Sequence, residues 1–411
     1  MKLYDFTKSY QWFERAEKVI PNGIQGPRTP RFSAFGSVPA FYSKTLGSHV
    51  WDVDGNEYIE YLCGFGAVAL GYNDPVVEKA AAAQAKKANS TSFPSPVMVE
   101  LAERLVSLIP QADWVVYGKN GSDVTTWATQ VAREATGRNI IIKAKHAYHG
   151  FHGWCHPSVG VPPEYQTYVL EVDYNDLRAL AQAVAENPGQ VAGIMLCPIR
   201  HDTFKDLEVP PRSYFDGVRQ LCDREGIVLM FDDIRCGFRL HLSGSALVVG
   251  GDPDLVCFGK ALGNGHAISV AVGKEKLRPT ANKVYFSGTH FQAAVPMAAA
   301  IACLKEMEAR DALEQMNHIH ALLKKGMEQR GQAAGLQLAF SGTGGLFFMT
   351  FKPDPGFEKA RFFCGEMAKR GVIWHPHHNM FLGAAHTEAD VQKTLDVAEV
   401  CLKLTQEKFG A

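Results

Sequence analysis

Short β-rich runs alternate with helical patterns through the middle of this chain, and this alternation constrains the fold more than any other feature. The β-rich runs are Trp114–Tyr117, Asn139–Lys143, Val191–Leu196, Ile227–Phe231 and Leu255–Phe258. Between them, apolar residues recur three and four positions apart, as in Ser122–Thr136, which is followed by Gly137, a residue typical of helix ends. Strands that alternate with helices over so long a stretch predict a parallel sheet covered by helices on both faces.

The pattern changes after about residue 300. Helical stretches there flank Leu336–Phe351, which has the composition of strands, and Glu388–Phe409 predicts a long final helix. We therefore expect three parts. Residues 51–300 form a large domain, residues 301–411 form a smaller α+β domain, and residues 1–50 form an N-terminal segment that packs with the small domain.

Composition excludes several classes of function. The 411 residues carry 42 Lys and Arg against 43 Asp and Glu, a net charge of −1, so a domain-wide basic surface for nucleic acid or anionic membrane is absent. No apolar run is long enough to span a bilayer, and the N-terminus lacks the apolar segment of a signal peptide. The nine cysteines form no CxxC pair, which indicates reduced and mostly buried thiols. We expect a cytoplasmic protein.

A lysine follows the last β-rich run and precedes a glycine-rich loop. In Phe258-Gly259-Lys260-Ala261-Leu262-Gly263, Lys260 would lie at the carboxyl end of a parallel strand, where open α/β folds bind ligands. A buried lysine amine loses proton affinity and can act as a nucleophile or a base. The alternative is a strand-end lysine that points to water.

Two carboxylates, Asp232 and Asp233, follow the preceding run, Ile227–Phe231. A carboxylate at a strand end can cap a helix, bind a metal ion or hold a proton on a ring nitrogen. A Mg²⁺ site would need further oxygen ligands close by in the sequence, and none are evident. The histidines near residues 146–156 and 375–378 do not have zinc-site spacing, so we expect no metal.

Two further segments suit a flat, phosphorylated ligand. Gly121 and Ser122 follow a β-rich run and open a helix, whose first N–H groups and dipole favour phosphate, although Ser122 could simply cap that helix. Tyr148 and His149 follow another run, and the tyrosine ring could stack on a flat ligand. A phosphate cradle, a stacking aromatic, an aspartate and a lysine, in that order, are the partners that pyridoxal phosphate needs.

With these motifs in place, the sequence resembles the class III, fold-type I aminotransferases that use pyridoxal phosphate. The similarity runs from Val50 to Thr387 and is greatest to the branch around glutamate-1-semialdehyde aminomutase, near aminotransferases of amino sugars and surface polysaccharides. The resemblance implies a large domain with a mostly parallel, seven-stranded sheet between helices, plus a smaller α+β domain. It also implies pyridoxal 5′-phosphate as the cofactor.

The resemblance implies catalytic roles for three residues. Lys260 would form the Schiff base with the cofactor and move the Cα proton, Asp232 would keep the pyridine nitrogen protonated, and Tyr148 would stack on the ring. The remaining implied cofactor-binding residues are Gly121, Ser122, His149, Ile234, Gly288 and Thr289. Since Thr289 lies in the segment that reaches the cofactor phosphate of the other subunit in relatives, a homodimer is implied too.

Departures from the family pattern concern the substrate. Cys197 stands where relatives usually have a glutamate that helps to distinguish substrates with one and two carboxylates. Arg200 and Arg235 occupy positions that are often neutral, and we expect one or both to bind a substrate carboxylate, with ion pairs to Asp202 or Asp233 as the alternative. The further candidate substrate residues implied by the resemblance are Phe65 and Arg28.

The sequence thus predicts a transaminase with a ping-pong cycle. An amino-acid donor, with L-glutamate as one candidate, would pass its amino group through the Lys260 site to a keto or aldehyde acceptor such as a sugar acid or a cyclic keto acid. The alternative within the same family is an aminomutase of the glutamate-1-semialdehyde type. A cofactor-binding regulator without catalysis is disfavoured by the intact Lys260 and Asp232.

Overall fold

The structure, a computed structural model, describes residues 3–410. Its helices are α1 Thr7–Glu17, α2 Cys63–Gly66, α3 Pro75–Ala85, α4 Val97–Leu108, α5 Gly121–Thr136, α6 Leu177–Ala185, α7 Arg212–Glu225, α8 Ala246–Val249, α9 Arg278–Ala281, α10 Ala294–Ala309, α11 Ala312–Ala333, α12 Glu358–Ala368 and α13 Glu388–Phe409. Its strands are β1 Tyr42–Leu46, β2 His49–Asp52, β3 Glu57–Glu60, β4 Trp114–Gly118, β5 Ile140–Ala144, β6 Val169–Val172, β7 Val191–Leu196, β8 Val228–Asp232, β9 Leu255–Phe258, β10 Ser269–Gly273, β11 Leu338–Thr343, β12 Leu346–Phe351, β13 Val372–Ile373 and β14 Met380–Phe381.

The chain divides into two compact units. The larger unit comprises Pro75–Asp202 and Glu208–Ala309, and the smaller unit comprises the chain up to Asp74, Thr203–Leu207 and the chain from Arg310 onward. The first division therefore falls after residue 74, whereas the sequence analysis placed it after residue 50. The reason is local: β2 and β3 pair with each other, and β3 pairs with β13, which keeps this hairpin in the smaller unit.

Seven strands form the sheet of the larger unit, in the order β4-β10-β9-β8-β7-β5-β6. Neighbouring strands are parallel except where β10 pairs with β4 and with β9. Every residue of β7, β8 and β9 is buried, and buried strands of this kind carry near-continuous apolar sequences because both faces are covered. The predicted fold, a mostly parallel sheet between helices with a smaller α+β unit, is confirmed.

Helix α5 packs against the larger sheet. Trp127 and Val131 on the helix join Met195 and Met230 on the strands in one buried cluster. Full burial of side chains of this size contributes about 1.5–3 kcal/mol each. Gly137 ends the helix with a left-handed φ of 65°, as its position in the sequence predicted. The start of α5 is therefore held firmly by the packing of its body.

The smaller unit contains two sheets and the C-terminal helices. One sheet has the order β1-β2-β3-β13 and the other has the order β11-β12-β14. Its core is aromatic: Trp374 packs against Tyr61 and Phe347, with ring centroids 5.1 and 5.9 Å away. Within residues 3–410, none of the helices combines the length and apolarity that a membrane span requires.

Candidate active site

Three candidate residues lie at one edge of the larger sheet. Cys197 follows β7, Asp232 ends β8 and Lys260 comes two residues after β9. These strands are parallel neighbours, with Leu196 beside Phe231, so their carboxyl ends lie at the same edge. In open α/β sheets this edge is where ligands bind. The sheet order therefore brings together residues that are 63 positions apart in sequence, from 197 to 260.

Lys260 begins a tight turn, Lys260–Gly263, with a left-handed φ of 43°. This conformation is uncommon for a side chain with a Cβ and is often found at functional sites. The pKa of Lys260 is lowered to about 7, mainly by burial and also by the positive charge of Arg235, while Asp232 opposes the shift. Near neutral pH the amine is therefore balanced between its neutral and charged forms, which suits both a nucleophile and a proton carrier.

Asp232 forms a buried hydrogen bond with a histidine from a distant loop. The Nδ1 atom of His149 lies 2.8 Å from Oδ2 of Asp232, and Oδ1 of Asp232 accepts a hydrogen bond from the Ile234 N–H at 3.2 Å. The imidazole ring stacks on Trp154 with an angle of 7° between the planes. The Nε2 atom of His149 is buried and has no hydrogen-bond partner among residues 3–410. The carboxylate is thus oriented from two sides.

The start of α5 is closely packed against its neighbours. The Asp123 carboxylate accepts hydrogen bonds from the N–H groups of Lys119 and Asn120, which fixes the turn before the helix. A Cβ atom on Gly121 would lie 2.5 Å from Cδ1 of Ile234, so only glycine allows this approach. The first N–H groups of an α-helix have no acceptor within the helix. They are therefore available to an anion at Gly121 and Ser122.

Gly150 also lies too close to a neighbouring residue, Ser122, to carry a side chain. Its φ is +119°, and a Cβ atom would lie 2.4 Å from Oγ of Ser122. The Phe151 N–H donates to that Oγ at 3.2 Å, so the loop after β5 is tied to the start of α5. Tyr148 lies in this loop and is half exposed. Burial raises the pKa of Tyr148, with Arg235 and Asp232 among the charges that influence it.

Cys197 and Arg235 lie in the same buried region. Sγ of Cys197 is 4.0 Å from Nδ1 of His149, and burial raises the pKa of this thiol well above its usual value, so the thiol is neutral. Arg235 is partly buried and its Nη1 donates to the His201 carbonyl oxygen at 3.0 Å. Burial also lowers the pKa of the His201 imidazole well below its usual value, which leaves that ring neutral.

Arg200 has carboxylate partners within the protein. Its Nε lies 2.8 Å from Oδ2 of Asp202, and Nη1 lies 3.6 Å from Oε2 of Glu208. This is the ion-pair alternative that the sequence analysis left open for Arg200. Asp233 instead accepts hydrogen bonds from the N–H and the hydroxyl of Ser245. The two arginines therefore have different surroundings.

The other predicted residues lie elsewhere. Gly288 and Thr289 are in the loop before α10, and the Thr289 side chain is exposed. In the smaller unit, the Arg28 guanidinium lies 5.2 Å from the ring centre of Phe65. Phe65 belongs to a run of four residues with positive φ, from Cys63 at 47° to Gly66 at 86°. The N–H groups of Leu62 and Cys63 donate to the Glu60 carboxylate, which holds this turn.

A metal site is the other chemistry that this buried cluster suggests. One ligand atom each from His149, Cys197 and Asp232 lies within 4.8 Å of the other two. The raised thiol pKa disfavours the thiolate form that metals bind, and His149 already engages the carboxylate. The arrangement therefore fits an organic ligand with a ring nitrogen better than a metal ion.

Comparison with known proteins decides the family. Residues 33–387 match the family described as aminotransferase class III. The chain belongs to this family. It is 38% identical to the aminopentol aminotransferase of Sphingopyxis macrogoltabida over 97% of this chain and 94% of that protein. It is 32% identical to the glutamate-1-semialdehyde 2,1-aminomutase of Bordetella avium, over 97% of this chain and 99% of that protein.

A solved structure is also closely similar. It is the PLP internal aldimine form of the FumI protein of Sphingopyxis sp. MTA144, with a TM-score of 0.96, 36% identity and 98% of each chain covered. This class III aminotransferase is a pyridoxal-phosphate-dependent transaminase, as the sequence predicted.

The residues present fit pyridoxal phosphate. The cofactor has an aldehyde, a ring nitrogen, a flat ring and a phosphate, and the edge of the larger sheet has a lysine amine of lowered pKa, a buried carboxylate, a half-exposed tyrosine and a helix N-terminus. Gly121 and Gly150 lack the side chains that would collide with Ile234 and Ser122 at the helix start. This donor set matches the groups of the cofactor one for one.

Sequence reasoning missed several residues of this region. His201, Cys236 and Trp154 are buried around Arg235 and His149. His201 follows β7 by five positions and could have been found by the same strand-end argument as Cys197. Trp154 gives no such signal, because it stacks on His149 only through the path of the loop after β5.

Proposed function

We propose that this transaminase moves an amino group from an amino-acid donor, with L-glutamate as the first to test, to a keto or aldehyde acceptor. The observation that carries the proposal is the partly buried Lys260, whose pKa is about 7, at the same sheet edge as the paired Asp232 and His149. When bound, pyridoxal phosphate supplies an aldehyde carbon that accepts an amino group and a ring that withdraws electrons from the adjacent carbon. The protein must then supply the base, the ring contacts and the anion site.

Each residue has a defined task in this proposal. Lys260 Nζ takes a proton from the substrate carbon and returns it, because its pKa near 7 allows both steps at neutral pH. Asp232 keeps a proton at the ring nitrogen, and His149 keeps Asp232 oriented through its 2.8 Å hydrogen bond. Tyr148 and Ile234 hold the two faces of the ring, and the N–H groups of Gly121 and Ser122 bind the phosphate.

The acceptor is proposed from the relatives and from the sequence. The relative from Sphingopyxis is named for an aminopentol, and an amine on a hydroxylated carbon chain is what amino transfer to a hydroxylated carbonyl acceptor would produce. A keto or aldehyde sugar acid, or a cyclic keto acid, would present similar hydroxyl and carbonyl groups. Phe65 and Arg28 are the proposed contacts on the substrate side, since they lie together in the smaller unit.

The test is the absorbance spectrum of the purified protein before and after addition of L-glutamate. We expect a Schiff-base band that disappears with glutamate, is absent from Lys260→Ala with cofactor bound, and is retained in Lys145→Ala, whose exposed amine pairs with Asp173. A band that ignores glutamate rejects that donor and directs the test to other amines. Full turnover by Lys260→Ala would contradict the proposal.

An aminomutase is the second candidate, because a relative of that activity is 32% identical over almost its whole length. A mutase moves the amine within one molecule, whereas a transaminase exchanges it between two. Incubation of a ¹⁵N-labelled amino donor with an unlabelled acceptor separates them: label in the acceptor product supports the transaminase, and rearranged donor without exchange supports the mutase.

We also propose a homodimer in which Thr289 of one subunit reaches the cofactor phosphate of the other. The exposed Thr289 lies near Tyr285, and Tyr285 and Phe93 expose 86% and 83% of their surface. Large exposed aromatic side chains are typical of surfaces that a partner covers.

A further inference from the structure

We propose that Glu60 is a positioning residue for the substrate: its buried carboxylate fixes the turn Cys63–Gly66 and thereby holds the Phe65 ring on the substrate side. The inference rests on the proposed function, because that function assigns Phe65 to the substrate. It gives a role to a buried carboxylate that the amino-transfer steps do not use.

The turn Cys63–Gly66 needs support from outside its own backbone. Its four φ angles are all positive, from 47° at Cys63 through 59° and 60° at Gly64 and Phe65 to 86° at Gly66. Two of these residues carry a Cβ, for which the left-handed conformation costs about 1–2 kcal/mol each. Such a conformation persists where the surrounding structure determines it. Neighbouring groups must therefore hold Phe65 in place.

Glu60 provides this support through three hydrogen bonds. The Leu62 N–H donates to Oε1 at 3.1 Å, while the Cys63 N–H and the Tyr72 hydroxyl donate to Oε2 at 2.8 and 2.9 Å. Only 2% of the Glu60 surface is exposed. The pKa of Glu60 is raised to about 7 by burial, and the three hydrogen bonds oppose the rise. The donors therefore stabilise the charged carboxylate.

This arrangement of donors requires a carboxylate. A carboxylate accepts at both oxygens, whereas a side-chain amide has one oxygen and one NH2 group that donates. In Glu60→Gln, the NH2 group would face the Leu62 N–H in one orientation and the Cys63 N–H in the other. Either orientation sets two donors against each other. A buried N–H that loses its acceptor costs about 1–3 kcal/mol.

Phe65 depends on the turn for its place among its neighbours in the smaller unit. Its ring meets the His378 ring edge to face, with centroids 5.1 Å apart, and the Arg28 guanidinium lies 5.2 Å from its centre. Both neighbours come from other segments of the chain, so a shift of the turn moves the ring relative to them. Glu60 therefore sets the geometry of the aromatic surface that the proposed function assigns to the substrate.

The first experiment tests whether Glu60 holds the turn. Hydrogen exchange of the holoenzyme is measured by mass spectrometry on a peptide that covers residues 61–68, in the wild type and in Glu60→Gln. Loss of one hydrogen bond to a backbone N–H of the turn should make its local opening easier. We therefore expect this peptide to exchange about 10-fold faster in the variant.

Asp52→Asn is the matched control. Asp52 is a buried carboxylate of the same sheet, and it also accepts hydrogen bonds from two backbone N–H groups and a tyrosine hydroxyl, those of Asp54, Asn56 and Tyr58. The turn that it holds carries no proposed substrate contact. We expect Asp52→Asn to lower stability and to leave the exchange of residues 61–68 unchanged.

The second experiment tests whether the turn serves the substrate. Loss of the Schiff-base absorbance is followed with L-glutamate, L-alanine and benzylamine, and the amines that the wild type converts are used. We expect Glu60→Gln to raise the amine concentration at half-maximal rate about 10-fold, with a limiting rate within about twofold of the wild type. Asp52→Asn should leave both values unchanged.

Two milder variants complete the series. Glu60→Asp keeps both acceptor oxygens and should recover part of the amine affinity. Tyr72→Phe removes one of the three donors and should raise the half-maximal concentration by less than Glu60→Gln does. Thermal unfolding identifies any variant that fails to fold, and Tyr72→Phe carries both experiments if Glu60→Gln does not fold.

Three results would overturn the inference. Unchanged exchange of residues 61–68 in Glu60→Gln would show that the carboxylate does not hold the turn. Faster exchange with an unchanged half-maximal concentration would show that the turn does not serve the substrate. An equal rise of that concentration in Asp52→Asn would assign the effect to a general loss of packing. Failure of the proposed function is distinct, because it appears as a wild-type spectrum that none of the three amines changes.

Discussion

His149 is the residue whose removal tests the site most directly, because it contacts Asp232 and leaves Lys260 in place. The 2.8 Å hydrogen bond joins two buried side chains, and charge-assisted bonds of this kind contribute about 1.5–3 kcal/mol. We therefore predict that His149→Ala lowers kcat about 10- to 100-fold and weakens cofactor binding, measured by steady-state kinetics and equilibrium dialysis. His146→Ala, at an exposed position just before this loop, is the control and should retain both values.

The positions of some single site residues could be predicted from the sequence. Lys260 and Asp232 follow buried apolar strands directly, so their place at the sheet edge follows from strand order alone. The difference between Arg200 and Arg235 could not be predicted in this way. Both follow strands by a few positions, but only the path of the surrounding loops pairs Arg200 with Asp202 and brings Arg235 to the His201 carbonyl oxygen.

At the scale of elements, the long final helix and most of the fully buried strands of the larger sheet were predicted. Helix α13 begins and ends at the predicted residues Glu388 and Phe409, and the runs 191–196 and 255–258 are strands. Strands β6 and β10 were missed. Both are short, and β10 ends in glycine, so their pairing depends on neighbours that local pattern does not reveal.

The turn Cys63–Gly66 was not predicted either, and it provides a test at this scale. Four successive positive φ angles are costly for residues with a Cβ, and a Cβ on Gly66 would lie 2.6 Å from Cε1 of Phe381. We predict that Gly66→Ala lowers the free energy of unfolding by about 1–3 kcal/mol more than Gly36→Ala does.

The control shares the backbone penalty but lacks the contact. Gly36 has a φ of +79°, and a Cβ there would meet no atom within 4 Å. Chemical denaturation of both variants gives the comparison, and KM for the amine substrate tests the proposed role of the neighbouring Phe65. Equal losses of stability in the two variants would contradict the packing argument.

For the whole molecule, the pH dependence of stability can be derived from one ion-pair network. His49 lies between Glu57 and Asp390, at 2.8 and 2.9 Å. The hydrogen bond that the His49 ring donates to Asp390 raises the pKa of His49, and the bonds that Asp390 accepts from His49, Thr387 and Ser48 lower the pKa of Asp390. Protonated His49 therefore stabilises the fold fully at pH values below its pKa in the unfolded chain. This stabilisation is lost as pH rises through its raised pKa in the folded protein.

Asp390 behaves in the opposite sense, since its contribution is lost as pH falls through its lowered pKa. Between about pH 4 and 6.5 both groups stabilise the fold. We predict that His49→Gln lowers Tm at pH 5.5 and has a smaller effect at pH 9. Thermal unfolding at both values, with the exposed His318→Gln as the control, measures this difference. An equal loss at the two pH values would show that protonation of His49 does not stabilise the fold.

The proposed dimer can be tested by combining two inactive variants in one mixed dimer. If Thr289 completes the phosphate site of the other subunit, then Lys260→Ala and Thr289→Asp each inactivate a homodimer, since one removes the amine and the other places a negative charge at the phosphate. In a mixed dimer, the subunit with Thr289→Asp keeps Lys260 and receives an intact Thr289 from its partner. One of the two sites is then complete.

Random association of equal amounts gives mixed dimers in about half of the population, so activity should recover to about a quarter of the wild type. Co-expression with two different affinity tags isolates the mixed dimer, which should have about half of the wild-type kcat per dimer. No recovery in the purified mixed dimer, with both parent variants folded and dimeric, would place Thr289 and Lys260 in the site of the same subunit.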